Sequence, residues 1–386
     1  MPALRSFSWA AATEDFIEHI KGRVGKVSIL ALGRVFDDTY LYEPDGPNLG
    51  GSEEAVIKLS EVLAARGLTV DVFANLPEHN GAGHKTASGV RWRRANEFDS
   101  DHARDALIVW RNPSLASLIK AKVEYPVIAW LMDPSYSGTN DYSGVDAVVG
   151  LTEAHRSIIA KNDGYTGPMT IIHNGIDLSE IPPISQENDK GRHMDWLMWA
   201  ASPDRGLLEL LNAWPTVISA VPTAQLHIFY GLDALVEMGR SDPARARLAD
   251  DLRRMMNQPG IHYHGSVART ELMGWHTRCG VFVYPVQNFD ETFCITAVKA
   301  QASAMWPVVF GRGALKEVVL GGVVAPPAQD NTKGVSAEYA AWLDALVSVM
   351  RDPPSFDRRR ALADAVKSKY SLDAMGAAFI KLFDNL

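Results

Sequence analysis

Three short segments bring together residue types suited to holding an anion beside a polyhydroxy group. Asp290-Glu291-Thr292-Phe293-Cys294-Ile295 follows a β-branched and aromatic run at 281–285 and leads into residues of helical period that reach Ala304. A helix opening there presents the N–H groups of Thr292, Phe293, Cys294 and Ile295 to phosphates, while Glu291 accepts hydrogen bonds from sugar hydroxyls. An acidic N-cap with Phe293 and Ile295 packed in the core is the competing reading. Ser202-Pro203-Asp204-Arg205-Gly206 follows another strand-like run and puts Arg205 in the first turn of a helix. A guanidinium offers two parallel donors and stays charged, which suits a departing nucleoside diphosphate; an ordinary surface arginine is the alternative. Gly50-Gly51-Ser52-Glu53 precedes a strongly periodic helix, where Gly51 permits close backbone approach to an anion, or where a loop simply needs a cap. With neither a Walker loop nor a full dinucleotide fingerprint, ATPase and dehydrogenase readings lack their signatures.

The elements that must position these residues are legible as alternation. Strand-like runs lie at 27–32, 69–74, 106–110, 127–132, 147–151 and 169–173, and again at 196–200, 226–230, 261–264, 281–284, 308–310 and 323–325. Helical period separates them, most clearly at 52–66 with Ser52 as N-cap, and later at 205–220, 244–256, 292–304 and 339–350. A Pro-, Ser-, Asn- and Asp-rich stretch at 181–193 reads as a linker. The expectation is an α/β protein of two doubly wound, Rossmann-like domains, 1–180 and 194–370, with the ligand in the cleft between them.

Composition narrows the function. The chain has 386 residues, 47% of them hydrophobic, enough for two cores. A formal charge of -8 argues against a broad nucleic-acid surface. Arg91, Arg93 and Arg94 beside Trp92 form the densest basic patch and read as a solvated strand face. Only two cysteines, Cys279 and Cys294, occur, which fits a reducing compartment, so cytoplasm is expected. The first 25 residues contain no long apolar run, so membrane contact is expected to be peripheral at most.

Taken together, the segments resemble the family 4 class of retaining glycosyltransferases, which have the GT-B fold. Gly50-Gly51-Ser52-Glu53 is similar to that family's GG-S-E loop, and His173-Asn174-Gly175-Ile176-Asp177 to its N-G-[VI]-D segment. Ser202 to Gly206 resembles its S-x-x-[KR]-G turn, His264-Gly265-Ser266-Val267 its H-G-x-V strand end, and Glu291 to Gln301 its E-x7-E donor motif. The resemblance implies transfer of a sugar from a nucleoside-diphosphate sugar to a glycan or other hydroxyl acceptor, with retention and without a metal or further cofactor. It implies that Glu291 and the 293–295 backbone hold the donor, that Arg205 faces the diphosphate, that Ser202 and Gly51 border it, and that Ser266 and Val267 lie near the base. Asp133 is then an acceptor-side residue, and a helix at 372–383 within a 371–386 tail crosses back onto the first domain. Envelope or capsule glycan assembly at an inner membrane face is the setting that the family suggests.

Three positions depart from the family pattern. Lys299 stands where E-x7-E has its second glutamate, about two turns and ~12 Å beyond Glu291. An ammonium cannot accept ribose hydroxyl protons, so it contacts phosphate, or turns to solvent, or weakens the donor site. Met132, in Trp130-Leu131-Met132-Asp133, replaces a histidine and cannot exchange a proton. Ala304 replaces a glycine. That third change suggests altered local packing, whereas the changes at 299 and 132 support a second hypothesis, a GT-B protein that binds a sugar nucleotide or partner without turnover. A third, a sugar-nucleotide epimerase, would recruit histidines such as His155, His173 or His227. Carbohydrate contacts are expected from 37–48 and 135–143.

Overall fold

The computed structural model describes residues 24–35, 50–76, 84–102, 104–135, 138–327 and 336–386. The carbohydrate-contact loop expected at 37–48 lies outside them. In chain order the first sheet contains β1 (Lys26–Val35), β2 (Thr69–Asn75), β3 (His84–Lys85), β4 (Arg91–Arg94), β5 (Ala106–Trp110), β6 (Val127–Trp130), β7 (Ala147–Gly150) and β8 (Thr170–Ile171). The second contains β9 (His193–Trp199), β10 (Gln225–Phe229), β11 (Ile261–Gly265), β12 (Cys279–Tyr284), β13 (Trp306–Phe310) and β14 (Val323–Ala325). Their spatial orders are β3-β4-β2-β1-β5-β6-β7-β8 and β11-β10-β9-β12-β13-β14. Apart from the antiparallel β3–β4 pair, neighbours run parallel.

The parallel arrangement follows from the strand composition. β5, β6, β12 and β13 are buried along their whole length, as continuous Val-, Ile- and Phe-rich runs require when helices cover both faces. Crossovers contain α1 (Gly51–Ala65), α2 (Pro113–Lys120), α3 (Glu153–Asp163), α4 (Leu207–Ala220), α5 (Arg269–Arg278) and α6 (Ile295–Ala302). In each sheet the chain order reverses beside the first strand, β1 between β2 and β5 and β9 between β10 and β12, which opens a crevice at the strands' carboxyl ends.

The last helix, α7 (Leu372–Phe383), returns to the first half. Ile176 N–H donates to Tyr370 O at 2.8 Å, Arg66 Nη2 donates to Asp373 O at 2.9 Å, and Phe379 meets Trp130 edge-on at 5.4 Å. Gly175 is required at this crossing, because a Cβ there would stand 2.8 Å from Leu372 Cα.

Four local expectations change. α1 is capped by the extended backbone of Gly50, not by Ser52, whose hydroxyl lies 2.7 Å from Arg111 Nη2. α4 begins at Leu207 because Gly206, at φ +94, breaks the helix before it; Arg205 therefore sits in the preceding turn. α6 begins at Ile295 behind Cys294 at φ +63, so Thr292, Phe293 and Cys294 are loop rather than first helical turn. The basic patch is not a freely solvated face: Trp92 is buried, and Arg91 and Arg93 lie 2.7 and 3.2 Å from buried Asp71.

Candidate functional site

A cavity of about 270 Å³ opens between the two sheets. Its walls are residues that immediately follow or end strands: Arg111 after β5, Met132 and Asp133 after β6, Leu151 after β7, Ala200 to Ser202 after β9, Tyr230 after β10 and Tyr284 at the end of β12. The loops into α1 and α6 complete it.

Glu291 is the centre of one wall. Its Oε1 accepts from Tyr284 Oη at 2.6 Å and from Arg205 Nη1 at 3.1 Å, and the residue is 6% exposed. Arg205 lies over the Phe289 ring, 3.7 Å from its centroid. Burial works against the Arg205 charge, but Glu291, Tyr284 and Asp204 together outweigh it and the guanidinium is held more firmly protonated than usual. Burial, reinforced by Glu291, pushes the Tyr284 phenol well above its ordinary range, so it remains a donor. The α6 N-terminus lies in the same wall: the first intrahelical bonds are those from Ala297 and Val298 to Cys294 O, leaving the N–H groups of Ile295 and Thr296 ahead of the ladder.

The opposite wall is organised by Arg111, a residue at φ +66. It donates to Ser52 Oγ at 2.7 Å, lies 3.2 Å from Glu53, and engages Asp133 through Nε at 2.8 Å and Nη2 at 3.2 Å. Such backbone conformation is costly for a non-glycine residue and persists where the surroundings hold it, as this two-pronged clamp does. Arg111 directly follows a strand, and that position was the sequence signal for it; charge and spacing alone gave none.

The two halves are stitched at several points. Thr292 Oγ1 donates to Met132 O at 2.7 Å, and Thr152 Oγ1 donates to Thr292 O at 3.0 Å. Lys299 Nζ lies 2.6 Å from Glu54 Oε1 and 4.0 Å from Glu180. Within the first half, Lys58 lies 2.7 Å from Asp177 and 2.8 Å from Glu180. Burial alone would raise the Glu54 pKa, yet Lys299, with Lys58 and Arg269 adding to it, outweighs burial and holds the carboxyl below its ordinary value. Lys299 thus faces Glu54; it does not turn to solvent. Gly51 belongs to the same seam, since a Cβ on it would stand 2.7 Å from Ile295 Cγ2.

The sequence-selected residues divide by position. Gly51, Asp133, Ser202, Arg205, Glu291, Thr292, Phe293, Cys294, Ile295 and Lys299 all line the cavity. Phe293 does so with its side chain buried against His173 and Tyr370. Ser266 and Val267 are not among the lining residues; Phe229 and Tyr230, at the end of the neighbouring strand, occupy that wall. Across 135–143, Ser135, Asn140 and Tyr142 converge on Asp163 at 2.5, 3.0 and 2.5 Å. Ala304, at the position expected to be glycine, adopts φ +61.

None of the three epimerase candidates lines the cavity. Leu151 N–H donates to His155 Nδ1 at 3.2 Å, which leaves Nε2–H for Asp133 O at 3.0 Å, and burial lowers its pKa to about 4. His173 Nδ1 lies 2.7 Å from Leu151 O. His227 stacks with His262 and His264, where burial first and the neighbouring imidazoles second lower its pKa to about 3. His276, unselected by sequence, does line the cavity. Its Nδ1 is 2.8 Å from Leu272 O, its buried Nε2 has no partner among the described residues, and burial lowers its pKa to about 4. Among the described residues no cluster of His, Cys, Asp or Glu suits a metal ion, and no helix is long and apolar enough to cross a membrane.

Two doubly wound sheets facing one another across such a cavity define the GT-B architecture. Solved structures agree: sucrose-phosphate synthase from Thermosynechococcus elongatus superposes with TM-score 0.70 at 15% identity, over 93% of this chain and 98% of that one. Anabaena HepE in complex with UDP-glucose gives 0.66 at 14%, over 93% and 100%. Trehalose-6-phosphate synthase OtsA gives 0.65 at 13%, over 93% and 99%. No protein-family model and no curated protein sequence matches the chain.

Proposed function

We propose that the chain is a retaining glycosyltransferase of the family 4 type, moving a sugar from a nucleoside-diphosphate sugar to a glycan or other hydroxyl acceptor without a metal. The observation that carries the reading is the grouping of Glu291, Arg205 and Tyr284 beside the α6 N-terminus on one cavity wall. A departing diphosphate needs fixed positive charge, and Arg205 with the N–H groups of Ile295 and Thr296 supplies it. Glu291 Oε1 is committed to Arg205 and Tyr284; Oε2 is the oxygen for a donor-sugar hydroxyl. The HepE complex, which contains UDP-glucose, supports the donor class.

Asp133, held by Arg111, is the polar group for the acceptor hydroxyl, with Ser135 beside it. Met132 contributes only its backbone carbonyl and a thioether surface. That substitution favours a second reading, a protein that binds the sugar nucleotide without turnover. The proposed setting is cytoplasmic, with any membrane contact peripheral.

Calorimetric titration with UDP-, GDP- and TDP-sugars, run beside donor hydrolysis, tests both readings. Binding with slow hydrolysis supports the transferase; tight binding with neither hydrolysis nor transfer supports the second reading. No binding by any of the three removes the donor assignment.

A further inference from the structure

Four carboxylates line the cavity: Glu53, Glu54, Asp133 and Glu291. Asp133 gives both oxygens to Arg111, and Glu53 lies against the same guanidinium. Glu291 and Glu54 differ: each engages its partners through Oε1, and no hydrogen bond to Oε2 is present among the described residues. Glu54 is 4% exposed and its partner, Lys299, comes from the opposite sheet's helix. Neither Oε2 is among the fully buried atoms that lack a partner, so each is open to the cavity, where a ligand hydroxyl can donate to it in place of water.

Its place along the helices says which hydroxyl. Gly51 meets Ile295 at the opening of α1 and α6, and Glu54 meets Lys299 one turn further along each helix. Both helices therefore open toward the same end, where two N-termini and Arg205 favour the diphosphate. Three residues on α1 and four on α6 correspond to ~4.5 and ~6 Å of helix, the scale of the step from phosphate to ribose. A nucleotide sugar has hydroxyls at both ends and its charge in the middle, which matches two carboxylates flanking a positively polarised centre.

We infer that Glu54, reaching from the first half and held by Lys299 of the second, accepts the ribose hydroxyl protons of the nucleotide, so that nucleotide recognition requires both halves of the molecule. Lys299 is then the group that positions Glu54, and the reversed charge at 299 has its complement in the other half. This assignment rests on the nucleotide-sugar reading above.

The test is calorimetry of uridine and guanosine diphosphate against their 2′,3′-dideoxy counterparts. The unmodified protein is expected to bind the dideoxy form about ten- to hundred-fold more weakly, the loss of a charge-assisted hydrogen bond. Glu54→Gln should reduce that ratio to about three-fold or less. Glu54→Asp, which keeps the charge for Lys299 but withdraws it by about 1.5 Å, should reduce it too, and serves if Glu54→Gln fails to fold. Nucleotides that bind with a ribose preference unchanged in a folded Glu54 variant overturn the inference and leave the donor reading intact. Absence of binding by every nucleoside diphosphate overturns both.

Discussion

The cavity contains two buried carboxylate centres built in different ways. Glu291 is held by Arg205 and Tyr284, all three from loops or strand ends of the second sheet. Glu54 is held by Lys299 across the seam between the sheets, beside a further chain of ion pairs through Lys58, Asp177 and Glu180. The first centre draws all its partners from one half. The second exists only while the halves are together, so it couples the state of the cleft to the state of a charge pair. A buried pair of this kind is weak evidence for extra stability, but removing one partner leaves the other uncompensated.

The largest effect should come from reversing the seam. Lys299→Glu sets a second carboxylate against Glu54 and is expected to destabilise by about 3 to 5 kcal/mol, read as a lowered thermal midpoint. The double variant Glu54→Lys/Lys299→Glu should recover most of that loss; no recovery would show that the two side chains are not coupled. Next comes the one-sided centre. Arg205→Ala should weaken nucleotide-sugar binding about ten- to hundred-fold and, because it leaves the Glu291 carboxylate with Tyr284 as its remaining donor, lower the thermal midpoint by less than Lys299→Glu does. A large stability loss with unaltered affinity would reverse the contrast between the two centres.

A smaller effect probes the contact itself. Gly51→Ala forces a methyl against Ile295 and should cost about 1 to 3 kcal/mol, with partial relief in Gly51→Ala/Ile295→Ala by thermal unfolding. The gentlest test is pH. The pKa values of His155 and His276 are lowered to about 4 from an ordinary 6.5. Between those values the unfolded chain binds protons that the folded chain does not, so stability falls as pH drops from about 6.5 toward 4. A midpoint that stays flat over that window would mean that both imidazoles accept protons in the folded state.

The sequence by itself determined most of the architecture. Continuous β-branched runs specify strands buried on both faces, and their alternation with helical period specifies parallel crossovers; β5 and β14 fall where the runs at 106–110 and 323–325 place them. It also brought Glu291, Arg205 and Asp133 to strand ends, which this topology turns toward one crevice. Helix starts were less legible, because a left-handed residue such as Cys294 is decided by surrounding packing rather than by its own propensity. Tyr284 and His276 carried no spacing signal and became visible only as neighbours of the cavity, and Arg111 offered only its place directly after a strand. The partner of Lys299 was the least accessible, since Glu54 lies 245 residues away in the chain. Local pattern reports which face a residue must bury, but the pairing of two charges across a seam depends on how the folded halves meet, and only the tertiary structure specifies that.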